Sequence, residues 1–136
     1  MKAFKQYFNK YILDNLGATY QIDFGQGIDT TNLNKYLGVY YSDEYVDDIA
    51  TGDVTGQGVK GKRIRQLVVI DLYAREGVYS LDEMRDDVWD ALLKKNKITL
   101  DNGLTVEITD RNFNVVERTS WNHGAITFIA KYIEAM

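Results

Sequence analysis

The chain has 136 residues, with 16 Lys and Arg against 20 Asp and Glu, for a net charge of −4. That length makes one domain whose core is large enough to need no covalent staples. With no cysteine and one histidine, disulfides, thiolate zinc sites, iron–sulfur clusters and histidine-rich metal centres are all excluded.

Hydrophobic residues make up 45% and charged residues 26%, the balance of a globular protein rather than a disordered one. No apolar run reaches the ~18 residues of a membrane span, and the opening Met1-Lys2-Ala3-Phe4-Lys5 lacks a signal-peptide core. A pI near 4.9 argues against a dedicated nucleic-acid binder. A cytoplasmic protein without cofactor is the expectation from composition. Proline is absent, which excludes polyproline ligands and cis-proline turns. The ten tyrosines suit half-buried strands and protein interfaces.

Along the chain, residues 2–16 read as an amphipathic helix, with Phe4, Phe8, Tyr11, Ile12 and Leu16 on one stripe and Gly17 at its end. Tyr20, Ile22 and Phe24 alternate like a short strand before a polar loop. Two long β-like stretches follow, at 37–50 and 62–75, separated by the glycine-rich residues 51–61. The joint reading is a long antiparallel hairpin, an arm over about 37–75, with a flexible tip. At about 3.3 Å per residue each strand would run roughly 45 Å, beyond the ~37 Å diameter of a compact chain this long. Such a hairpin would overhang its own domain.

Ser80-Leu81-Asp82-Glu83 has the form of a capping box and predicts a helix to about residue 95. Its buried stripe would be Leu81, Met84, Val88, Ala91 and Leu92. Asp101-Asn102-Gly103 predicts a tight turn between strands 98–100 and 104–109. Two further strands are expected at 113–119 and 125–133, separated by a turn at 120–124. The fold class is therefore α+β: a mainly antiparallel sheet with the N-terminal and central helices on one face. Val69, Leu72, Leu81, Met84, Val88, Leu92, Ile126 and Phe128 are expected to pack between sheet and central helix.

Several stretches imitate chemistry. Gly56-Gln57-Gly58-Val59-Lys60-Gly61-Lys62 fits two phosphate-loop patterns, but a strand-like run follows where a helix N-terminus is required. No nucleotide triphosphatase activity is expected. Asp110-Arg111-Asn112 opens like a calcium loop, yet Val115 and Trp121 stand where glycine and glutamate belong, so a turn is expected there. His123 is placed in a turn without a catalytic partner.

The charge pattern says more. Asp43, Glu44, Asp47, Asp48 and Asp53 fall on one side of the tip, and Lys60, Lys62, Arg63 and Arg65 on the other. These opposed runs pair either across the hairpin or between subunits. With Tyr40, Tyr41 and Tyr45 they form the candidate subunit interface; no catalytic, cofactor or metal residue is assigned.

The helix, the long hairpin ending in Arg65-Gln66-Leu67-Val68-Val69-Ile70-Asp71-Leu72-Tyr73, the capped helix and the closing strand Gly124-Ala125-Ile126-Thr127-Phe128-Ile129-Ala130-Lys131-Tyr132 resemble the tail terminator (tail completion) proteins of long-tailed bacteriophages. The resemblance is one of pattern and length over nearly the whole chain. It implies a non-enzymatic virion protein at the head–tail interface, assembled in the host cytoplasm. It further implies a hexameric ring that stops polymerisation of the tail tube protein and docks to the head completion or connector protein. Genomic DNA would pass through such a ring without specific binding. The competing expectation, from a different class, is a small α+β nucleotide- or nucleic-acid-binding domain.

Overall fold

Phe4, Phe8, Ile12 and Leu16 recur at helical spacing and are all buried, so the first helix forms to hide one stripe. This helix, α1, spans Lys2–Leu16. It stops at Gly17, whose amide donates to the Leu13 carbonyl; a Cβ there would lie 2.6 Å from that oxygen. The computed structural model describes residues 2–50, 60–75, 80–118 and 121–135. After α1 come β1 (Ile22–Asp23), β2 (Lys35–Ala50), β3 (Lys60–Arg75), α2 (Leu81–Val88), β4 (Lys97–Thr99), β5 (Thr105–Arg118) and β6 (Trp121–Ala135). The glycine-rich tip, residues 51–59, lies outside the described residues.

Ser80 caps α2 by accepting hydrogen bonds from the amides of Asp82 and Glu83. Beyond Val88 the helix widens into a π-helical turn, Trp89–Leu93, rather than running regularly to residue 95. The wider turn rotates the chain so that Leu92 and Leu93 are both buried. Lys94, Lys95 and Lys97 therefore lie past the helix, and Arg111 meets both its last carbonyl and one in the turn that follows. The Arg111 guanidinium donates to Leu93 O at 2.8 Å and to Lys95 O at 3.1 Å.

The architecture is mixed α+β: one six-stranded sheet, in the order β1-β2-β3-β6-β5-β4, with two helices. β1 joins β2 in parallel over two residue pairs, and the other four pairings are antiparallel. Both helices cover the inner face. There Val68, Ile70 and Leu72 of β3 and Ile126, Phe128 and Ala130 of β6 join Phe4, Phe8, Met84, Val88 and Leu92 in one core. Side chains alternate across a strand, so Val69 faces the other way and does not belong to that core, contrary to expectation. The run Leu67-Val68-Val69-Ile70 is apolar at every position and hides its own phase.

Three further expectations are corrected. Strands 104–109 and 113–119 are one strand, β5, because Asp110 absorbs the polar triplet in a bulge at φ 55°, a conformation aspartate tolerates. The turn at 120–124 does not exist as such: Trp121 to Gly124 belong to β6 and pair with β3. And β3 is paired with β6 along its length, from Gly61↔Ala135 to Arg75↔Trp121, so the described β2–β3 pair is built into the sheet rather than standing clear of it. The Asp101-Asn102-Gly103 turn is present between β4 and β5, with Gly103 at φ 85°.

Candidate interaction face

Among the described residues no helix covers the second side of the sheet, and the candidate residues divide according to which side they reach. Tyr40 pairs with Val69 and Tyr45 with Arg65, which puts both rings on the outer face, 51% and 59% exposed. Tyr41 pairs with Val68 and points inward. Its hydroxyl donates to Asn9 Oδ1 of α1 at 2.6 Å, and burial raises its pKa. Tyr41 therefore fastens β2 to the helix layer and leaves the interface set.

Asp43 and Glu44 are exposed beside a bulge in β2 between Tyr41 and Glu44. Gln66, which sequence reasoning passed over, holds that bulge. Fully buried, it donates from Nε2 to the Ser42 carbonyl at 2.6 Å. Beyond the bulge the two runs are in backbone register within the chain: Asp47↔Arg63 and Asp48↔Lys62, with Lys60 opposite Ala50. The side chains of Asp47, Asp48 and Lys60 lie outside the described set. Tyr45 meets Arg65, whose guanidinium sits 5.4 Å from the ring centroid.

At this end the outer face carries a cross-strand row from β2 to β4: Tyr45, Arg65, Lys131, Glu107, Lys97. A groove of about 790 Å³ opens over the row, lined also by Arg63, Leu104 and Ile133. No sequence pattern could reveal it, because its cations come from three strands that are far apart in the chain.

At the other end of the same face the side chains are aromatic. Tyr36 of β2 stacks on Tyr73 of β3 with centroids 4.5 Å apart, and Tyr73 stacks on His123 of β6 at 4.4 Å. Trp121 meets Tyr36 edge-on, and the Arg75 guanidinium lies 4.3 Å from the Trp121 ring. His123 has an acidic partner, Asp71, which the sequence did not bring to it. The pair is part-buried, and the expected turn is a strand that carries His123 alongside β3. Burial, reinforced by the negative charge of Asp71, pushes the Tyr73 hydroxyl up to about 12.

Both sheet margins are open along much of their length. Among the described residues, β1 pairs only with Leu37 and Gly38 of β2, and β4 only with Thr105, Val106 and Glu107 of β5. Val46 on one margin and Val115 and Val116 on the other are exposed. Among the described residues no group of three or more acidic or histidine side chains is placed to hold a metal ion, and no helix is long and apolar enough to cross a membrane. The sequence matches no model of a known protein family and no curated protein.

Proposed function

We propose that this chain is a non-enzymatic assembly subunit, a tail terminator or head–tail joining component of a long-tailed bacteriophage. The observation that carries the reading is the uncovered outer face, aromatic at one end and basic at the other, on a sheet with two open margins. Such a surface is suited to docking on protein. The resemblance in length and element order supplies the phage setting.

On this reading the β2–β3 pair is one long hairpin, joined through residues 51–59, in a mainly antiparallel sheet. It meets the neighbouring subunit head to tail, and such contacts close into a ring when the rotation permits. Six subunits would cap the tail tube and offer their other surface to the connector, with DNA passing through unread. The virion is the site of action.

Native mass spectrometry of the purified protein, with cryo-electron microscopy class averages of the same sample, tests this. Hexamers, or a concentration-dependent equilibrium between monomer and ring, are expected. A monomer at every concentration, together with a thermal shift on adding nucleotide, would overturn the proposal in favour of a ligand-binding domain.

A further inference from the structure

The outer-face groove sets like charges side by side. Arg65 of β3 and Lys131 of β6 are direct cross-strand partners, and such pairs repel. Among the described side chains, four cations (Arg63, Arg65, Lys97, Lys131) and the carboxylate of Glu107 line the groove, in a chain whose net charge is −4. Apolar surface lies among them: Leu104 lines the wall, and Ile133 is 51% exposed. The complementary ligand is thus acidic and carries apolar side chains as well as charge.

The chain itself contains such a segment. Residues 43–48 read Asp-Glu-Tyr-Val-Asp-Asp, and Asp43, Glu44, Tyr45 and Val46 are all exposed on a margin of the sheet that, among the described residues, has a strand on one side only. We propose that the groove receives residues 43–48 of a second copy of this chain. The carboxylates would face Lys97, Lys131 and Arg63, with Tyr45 or Val46 against Ile133 and Leu104. The identification of the partner as a second copy rests on the assembly reading above; the preference of the groove for an acidic, partly apolar strand does not. A nucleic-acid backbone fits less well, because the apolar wall of Leu104 and Ile133 gives phosphate nothing to bind. The segment borders the groove, Tyr45 lying beside Arg65, so two copies that exchange segments make a closed pair, whereas copies that pass them on in one direction make the ring.

The probe is a fluorescent peptide of residues 41–50, titrated into the folded protein and followed by anisotropy. Saturable binding is expected, weakened about tenfold or more in the Lys97→Glu/Lys131→Glu variant and in ~0.5 M salt, where exposed charges are screened. A peptide with Asn and Gln in place of its acids should not bind. In the whole chain, followed by sedimentation velocity, Lys97→Glu/Lys131→Glu and Asp43→Lys/Glu44→Lys should each dissociate the assembly, and combining the two sets should restore it. Circular dichroism checks that every variant is folded.

Hexamers untouched by both charge reversals would overturn the groove contact and leave the ring reading standing. A monomer that still binds the peptide would overturn the ring and keep the groove. A single-stranded oligonucleotide that displaces the peptide and binds more tightly would make the groove a nucleic-acid site and overturn the proposal.

Discussion

His123 Nε2 and Asp71 Oδ1 stand 2.9 Å apart, although 52 positions separate the two residues in the chain. They are diagonal neighbours across β3 and β6, since Asp71 pairs with Ala125 and His123 with Tyr73. The carboxylate holds the imidazole against the Tyr73 ring, within 15° of parallel. Asp71→Ala should cost about 1–3 kcal/mol, because it strips a part-buried ring nitrogen of its partner, whereas Asp71→Asn should recover much of the loss. Urea unfolding measures both. An Ala variant as stable as the parent would show that the pair contributes nothing.

Leu92 and Val69 should separate the two faces of the sheet. Leu92 is fully buried in the core beneath the helices, so Leu92→Ala should cost about 2–5 kcal/mol. Val69 points to the other face, where it too is buried, but loses only two methyl groups, so Val69→Ala should cost less, about 1–2 kcal/mol. Equal losses in denaturant unfolding would contradict the assignment of faces.

Two strand glycines should respond in opposite ways. A Cβ on Gly124 would come within 2.9 Å of the Phe113 ring, so Gly124→Ala should destabilise by about 1–3 kcal/mol. A Cβ on Gly38 would meet nothing closer than 3.7 Å, and its backbone needs no positive φ. Gly38→Ala should therefore stabilise by about 0.4–1 kcal/mol, through the unfolded chain. Thermal unfolding of the two variants decides it, and a destabilised Gly38→Ala would mean the space above that residue is used.

The tyrosines fix the alkaline limit. Tyr73 is pushed up to about 12 by burial and then by Asp71, and burial also raises Tyr41 and Tyr132. The folded state binds these protons more tightly than the unfolded state, so the associated stability is complete below the ordinary tyrosine pKa of about 10. For Tyr73 it is lost as pH rises from there through about 12. An ultraviolet titration should show Tyr41, Tyr73 and Tyr132 ionising only above the ordinary tyrosine value or with unfolding. All ten titrating together in an intact fold would refute this.

What the sequence made legible was local. The stripe of α1, the Ser80 cap and the Asn102-Gly103 turn each depend on residues within a few positions of one another. Residues 67–70 concealed their phase because periodicity carries no signal when every position is apolar. Asp110-Arg111-Asn112 resembled a turn because the same residue types serve turns and bulges, and the role of Arg111 depends on where α2 ends. The Asp71–His123 contact and the groove both require the β3–β6 pairing, which nothing local specifies.

That pairing divides the molecule in an unexpected place. The elements run helix and three strands, then helix and three strands again, and the sheet order sets β1-β2-β3 beside β6-β5-β4. Each half can draw together its own long antiparallel pair through short-range contacts. The seam between them, from Gly61↔Ala135 to Arg75↔Trp121, closes only after a long stretch of chain has been gathered in. Loop closure of that kind slows folding, so mutations along the seam are expected to slow refolding more than mutations within either half, which stopped-flow kinetics would check. Until the seam closes, β3 and β6 are both bare edges. A nascent first half would thus hold β3 paired with β2 on one side and bare on the other until the second half arrives.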